Sequence, residues 1–171
     1  MDRKLLSSTY RIYGDKLMKV IIENVSFKEY YLTMIRMITF LNYLGEEHKK
    51  STTEDRLVLY DFYLKYPELI NNQNKVTDFD TKYSYFHWRP NYKLYSAVLA
   101  DLTSRDLIKK NVESGRYYIN ENGKILSTKM INTYIETLNS TSEYLQKNIC
   151  KLSNKGIYED IDLKILKERG I

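Results

Sequence analysis

Between residues 27 and 44, apolar side chains return at three- and four-residue steps: Tyr31, Met34, Ile35, Ile38, Leu41 and Leu44. That spacing gathers one stripe on a helix, and the stripe has to be buried. Gly45 stands where a helix end favours left-handed backbone. Ser51 and Glu54 have the spacing of a capping box that opens a second helix. Its apolar residues, Leu57, Val58, Tyr60, Phe62, Leu64 and Tyr66, fall on more than one face, which predicts a helix inside the core that stops at Pro67. Residues 71–88 are polar, rich in Asn and Asp, aromatic and without helical period, which predicts a long loop. Pro90 suits the first position of a third helix. There Tyr95, Val98, Leu99 and Leu102 keep the helical spacing, with an end near Ser104.

The pattern then changes period. Residues 107–112 and 116–119 are β-prone runs joined by Glu113-Ser114-Gly115, which reads as a hairpin. Asn120 suits the cap of a further helix, and apolar positions from Ile125 to Ile149 mark one long helix or two in tandem as far as Cys150. A polar segment at 151–156 precedes a tail helix around 160–169. Helix, helix, helix, hairpin, helix is the order of a winged-helix domain. The expected fold is mainly α with a small β-hairpin: one domain over residues 1–171, a winged-helix-like core at 27–150 with further helices at both ends, and a C-terminal tail helix at 151–171.

Composition narrows the chemistry. The chain has 171 residues, with 27 Lys and Arg against 22 Asp and Glu, a formal charge of +5 and an isoelectric point near 9.0. This surplus permits an anionic partner without requiring one. The 17 Tyr accompany many Lys, Asn and Ile, so tyrosine abundance by itself is no binding signal. Cys150 is the one cysteine, and His48 and His87 are the two histidines, too few for a disulfide framework or a multi-ligand zinc site. No apolar run is long enough to span a bilayer or serve as a secretory leader, which places the chain in the cytoplasm. Gly14, Gly115, Gly123 and Gly156 are isolated, so no phosphate-cradling loop is present. Asp78 and Asp80 with His87 fit turn chemistry better than metal ligation. The expectation is a protein that is not an enzyme and takes no cofactor, metal or small-molecule substrate.

Two clusters stand out as candidate surfaces. Tyr83, Tyr85, Phe86 and Trp88, with His87 among them, are candidate partner-binding anchors, although such residues also cover the helices on either side. Residues 89–129 hold eight basic and four acidic side chains. Arg89, Lys93, Lys109, Lys110 and Arg116 are candidate phosphate contacts, because a third helix and a wing are the elements that approach DNA. Lysines on strands also blunt sheet edges. The third helix offers no Asn, Gln or Arg run for bidentate base reading.

Three segments carry a family resemblance. They are the early helix Leu32-Thr33-Met34-Ile35-Arg36-Met37-Ile38, the run Arg56-Leu57-Val58-Leu59-Tyr60-Asp61-Phe62-Tyr63-Leu64, and the helix-hairpin-helix at 92–138. Together they resemble the second type of middle component of bacterial ABC-three-component systems, as in Lamassu-type anti-phage defence. The chain departs from that pattern at Arg105-Asp106, where a glycine often precedes the strand, and at the insertion over residues 73–88. The resemblance implies a non-catalytic adaptor that docks on an SMC-like ATPase subunit and links it to an effector nuclease near DNA. The alternative is a free-standing winged-helix transcription regulator, dimeric through the helix at 128–150.

Overall fold

A computed structural model describes residues 25–45, 52–70 and 79–169 of the chain. Helix α1 (Val25–Leu44) is followed by α2 (Glu54–Lys65), a 3-10 turn (Pro67–Leu69), α3 (Phe79–Phe86) and α4 (Tyr92–Ser104). Strands β1 (Ile108–Lys110) and β2 (Tyr117–Ile119) come next, then α5 (Glu121–Lys129), α6 (Thr133–Tyr144), a wide π turn (Leu145–Ile149) and α7 (Asn154–Arg169). The fold is mainly α with one small antiparallel hairpin, as the periodicity predicts.

Several boundaries differ from expectation for local reasons. Ser51 lies outside the described residues, and Glu54 is the first residue of α2, so the expected capping box is not what opens that helix. The Glu54 carboxylate instead accepts a hydrogen bond from the Ser96 hydroxyl of α4. The loop expected at 71–88 contains a helix from residue 79 onward, while 71–78 lie outside the described residues. In α3 the rings of Phe79, Tyr83 and His87 stack at i, i+4 and i+8, a spacing that supports a short helix. Pro90 precedes the cap rather than sitting in the first turn, because the Asn91 side chain accepts from the Leu94 amide at 3.2 Å. Of the two readings of residues 125–149, the structure has helices in tandem: the first ends at extended Met130 and the next starts where Asn132 caps the Ile135 amide at 3.0 Å. The tail helix begins at Asn154.

Helix α2 is the centre of the core. All its residues from 57 to 64 are buried, because α1, α4, α6 and α7 pack around it. Each fully buried Leu there stabilises the fold by about 1.5–3 kcal/mol. Helix α1 packs on α2, α4, α5, α6 and β2 and so ties the hairpin to the bundle. Helix α7 shares this core: Ile157 and Ile161 are buried, and Tyr63 donates to Asp160 at 2.6 Å. Arg56 fastens the turn before α7, donating to the carbonyls of Cys150 at 3.0 Å and Leu152 at 2.9 Å.

The hairpin is set by two tight places. Asp106 takes the left-handed conformation at φ 53°, a backbone region that favours glycine. Its strain is offset by hydrogen bonds from the side-chain amides of Asn120 (2.8 Å) and Asn122 (2.8 Å) to its carboxylate. Gly123, in the first turn of α5, lies so close to the chain before β1 that a Cβ there would meet the Leu107 carbonyl oxygen at 2.1 Å. Ile108 pairs with Ile119 and Lys110 with Tyr117. Thr53 extends the pairing through a bridge to Arg116.

Candidate functional site

The four aromatic candidates separate by burial. Tyr85 is fully buried and packs edge-on against Tyr66, so it belongs to the core and is not a free anchor. Trp88 is half-buried, with its ring 5.0 Å from that of Phe62, and pins the end of α3 to α2. Phe86 is half-buried beneath the helix and packs against the core. Tyr83 remains 56% exposed. Its ring stacks on that of His87 at 4.0 Å and on that of Phe79 at 6.3 Å. Phe79, 75% exposed, is the residue that sequence reasoning missed. Its signal was the i, i+4 spacing to Tyr83, masked by reading the segment as a loop. His87 Nδ1 lies 2.8 Å from the Tyr83 carbonyl oxygen, a structural hydrogen bond that holds the stack.

The basic candidates do not form one uniform patch. Lys109 and Lys110 are exposed on β1, and the Lys110 ammonium lies 5.2 Å from the centre of the Tyr117 ring. Arg116 is half-buried, with a buried Nε that has no hydrogen-bond partner among the described residues, so it is less available to an outside phosphate than its strand position suggested. Arg89 is exposed and donates to the Trp88 carbonyl at 2.8 Å. Lys93 is exposed at the start of α4. There Glu54 and Asp55 of α2 already bear on the neighbouring Tyr92. A hydrogen bond to Tyr158, more than burial, pushes the Tyr92 phenol up to about 12.

A buried charge network lies behind these surfaces and joins α1, α2 and α4. Arg36 donates to both Asp61 oxygens at 2.6 and 2.9 Å and to Glu29 at 2.8 Å. Tyr95 donates to Asp61, and Lys65 contacts Glu29 at 3.0 Å. Burial works against the Arg36 charge, but Asp61 and Glu29 outweigh it and hold the guanidinium above its ordinary value. Burial and the adjoining Asp61 push the Tyr95 phenol up, so it stays a donor. The network's signal in the sequence was one opposite charge inside each of two apolar helices. Against one side of the network, where Glu29, Arg36 and Lys65 form part of its lining, a cavity of about 530 Å³ opens between α1, the end of α2, α3 and α6.

Burial pushes the Cys150 thiol up, against the pull of Tyr60 and Arg56, which favours the neutral, unreactive form. Among the described residues no three His, Cys, Asp or Glu side chains lie close enough together to share a metal ion. Asp78, part of the metal alternative, lies outside the described residues. Among the described residues no helix is long and apolar enough to cross a membrane.

No curated protein and no solved structure matches the chain. The family model of the ABC-three component (ABC-3C) system Middle Component 2 matches residues 33–168. That stretch runs from the buried part of α1 almost to the end of α7 and takes in Arg36, Asp61, Lys65 and Tyr95 of the charge network, the aromatic helix and the hairpin. With well over half of its length inside the match, the chain belongs to the Middle Component 2 family of ABC-three-component systems.

Proposed function

We propose that the chain is a non-catalytic, cytoplasmic adaptor that joins an SMC-like ATPase to an effector nuclease in a Lamassu-type antiviral system. The observation that carries this reading is the family match over residues 33–168, which makes the chain one part of a multi-component assembly. The stacked Phe79 and Tyr83 give it a docking surface, since exposed aromatic clusters are where interface energy concentrates. Tyr95 and Tyr63, their phenols pushed up mainly by burial, donate to structural partners, and burial favours the neutral Cys150 thiol, which fits a binding role. The test is co-production with the products of the neighbouring genes. An adaptor retains ATPase and nuclease together, and omitting it separates them. Separate purification of all three, or turnover by this chain alone, contradicts the reading.

Contact with DNA is part of the same proposal and rests on Lys109 and Lys110, consecutive on β1 and both exposed. Replacing both with Gln lowers affinity for every sequence alike and flattens its salt dependence, because phosphate contacts release counterions without reading bases. An unchanged salt slope removes the hairpin from the DNA contact.

A further inference from the structure

Among the described residues, the cavity beside α3 has its basic groups paired and two of its acids without a basic partner. Arg36 at its floor is taken up by Asp61, Glu29 and Thr33, and Lys65 on its wall by Glu29. Glu68, from the 3-10 turn, and Asp80, from the first turn of α3, also line it. Among the described residues neither carboxylate has a basic partner. Glu68 is half-buried, and desolvation pushes its carboxyl up, a penalty that an incoming cation would offset. Tyr66 and Tyr134 add ring surface to the walls. On the adjacent flank of the same helix, Phe79 and Tyr83 are the large apolar side chains left bare.

We propose that this face docks a basic segment of a partner protein, with one arginine or lysine side chain entering the cavity to meet Glu68 and Asp80 while flanking residues cover Phe79 and Tyr83. The inference rests on the adaptor reading and names the chemistry its partner needs. Charge complementarity selects the occupant. The chain is +5 overall, yet the unpaired groups here are acidic, so a nucleic acid is repelled where a guanidinium gains a carboxylate fork and aromatic faces.

The test uses the full chain and two Gly-Ser nonapeptides, one with a central arginine pair and a neutral twin with citrulline. Binding is followed by chemical-shift changes at the cavity residues. The arginine peptide binds about tenfold more tightly than its twin. The variant Glu68→Gln with Asp80→Asn removes that difference while keeping its melting temperature, because neither carboxylate holds another element in place. Phe79→Ala with Tyr83→Ala weakens both peptides. No binding, equal binding of the twins, an unaffected amide variant, or a single-stranded DNA oligomer shifting the same residues overturns the proposal. Co-purification separates this from the adaptor reading. If the amide variant still retains every component that the unaltered chain retains, this face is not the dock and the adaptor reading stands. If the unaltered chain retains none, the adaptor reading fails whatever the peptides do.

Discussion

Helices α2 and α3 are both rich in aromatic residues and are joined where Phe62 meets Trp88, just past the end of α3, yet they differ in what surrounds them. Tyr60, Phe62 and Tyr63 of α2 are completely buried, and their rings meet edge-on, as in Phe62 with Tyr63 at 5.4 Å. Helix α3 buries Tyr85 and leaves Phe79 and Tyr83 in solvent. Among 17 tyrosines, the residue type therefore says nothing about role; its surroundings decide. A helix enclosed on every side sets stability, and a helix with one bare flank can be changed there with little effect on the fold.

That contrast is broken most directly in α2. Asp61→Ala leaves Arg36 buried without its main partner and Tyr95 without an acceptor, at a cost of about 3–5 kcal/mol. Arg36→Met with Asp61→Leu recovers much of that loss, because an apolar pair needs no desolvated charge. Urea midpoints check both, and a single variant as stable as the parent would mean that the network is not buried. Gly123→Ala has the next largest effect, about 1–3 kcal/mol, since the new Cβ meets backbone at Leu107 rather than a yielding side chain. An unchanged midpoint would show that α5 and the turn before β1 stand further apart.

A smaller effect is read by pH. Burial raises the Glu29 carboxyl, but Arg36 and Lys65 outweigh it and hold it below its ordinary 4.5. A depressed value means that the stabilisation is complete above the unfolded pKa and is lost as pH falls through the folded one. Melting temperature therefore drops as pH descends below 4.5, and Glu29→Gln shows a shallower drop. Equal slopes would remove Glu29 from the network. The smallest expected change in stability is at Phe79 and Tyr83, where alanine shifts it by about 0.5 kcal/mol or less. A large loss there would place these rings inside a packed interface within the chain.

The fold was readable wherever burial imposes a period. The α1 stripe, the two-sided α2, the hairpin and the Asn120 cap follow from spacing alone. Helix α3 was not readable, because an eight-residue helix with Tyr85 buried and Phe79, Tyr83 and His87 outward leaves too few apolar repeats in a segment rich in turn formers. Asp106 shows a different limit: a glycine-like conformation is held by Asn120 and Asn122, partners 14 and 16 residues further along the chain. Of the candidate surface residues, Arg89, Lys93, Lys109, Lys110 and Tyr83 are exposed. Tyr85 and Arg116 are not, because their immediate neighbours in sequence carry no sign of which helix or strand closes over them.

The most direct test of a scaffold with one bare docking helix is the affinity of the chain for its co-produced partner components, measured for the parent and for Phe79→Ala with Tyr83→Ala. The expected result is an unchanged melting temperature and assembly weakened by about 2 kcal/mol or more. Full assembly by the folded double variant would contradict it, and would move the adaptor's contacts to a surface other than α3.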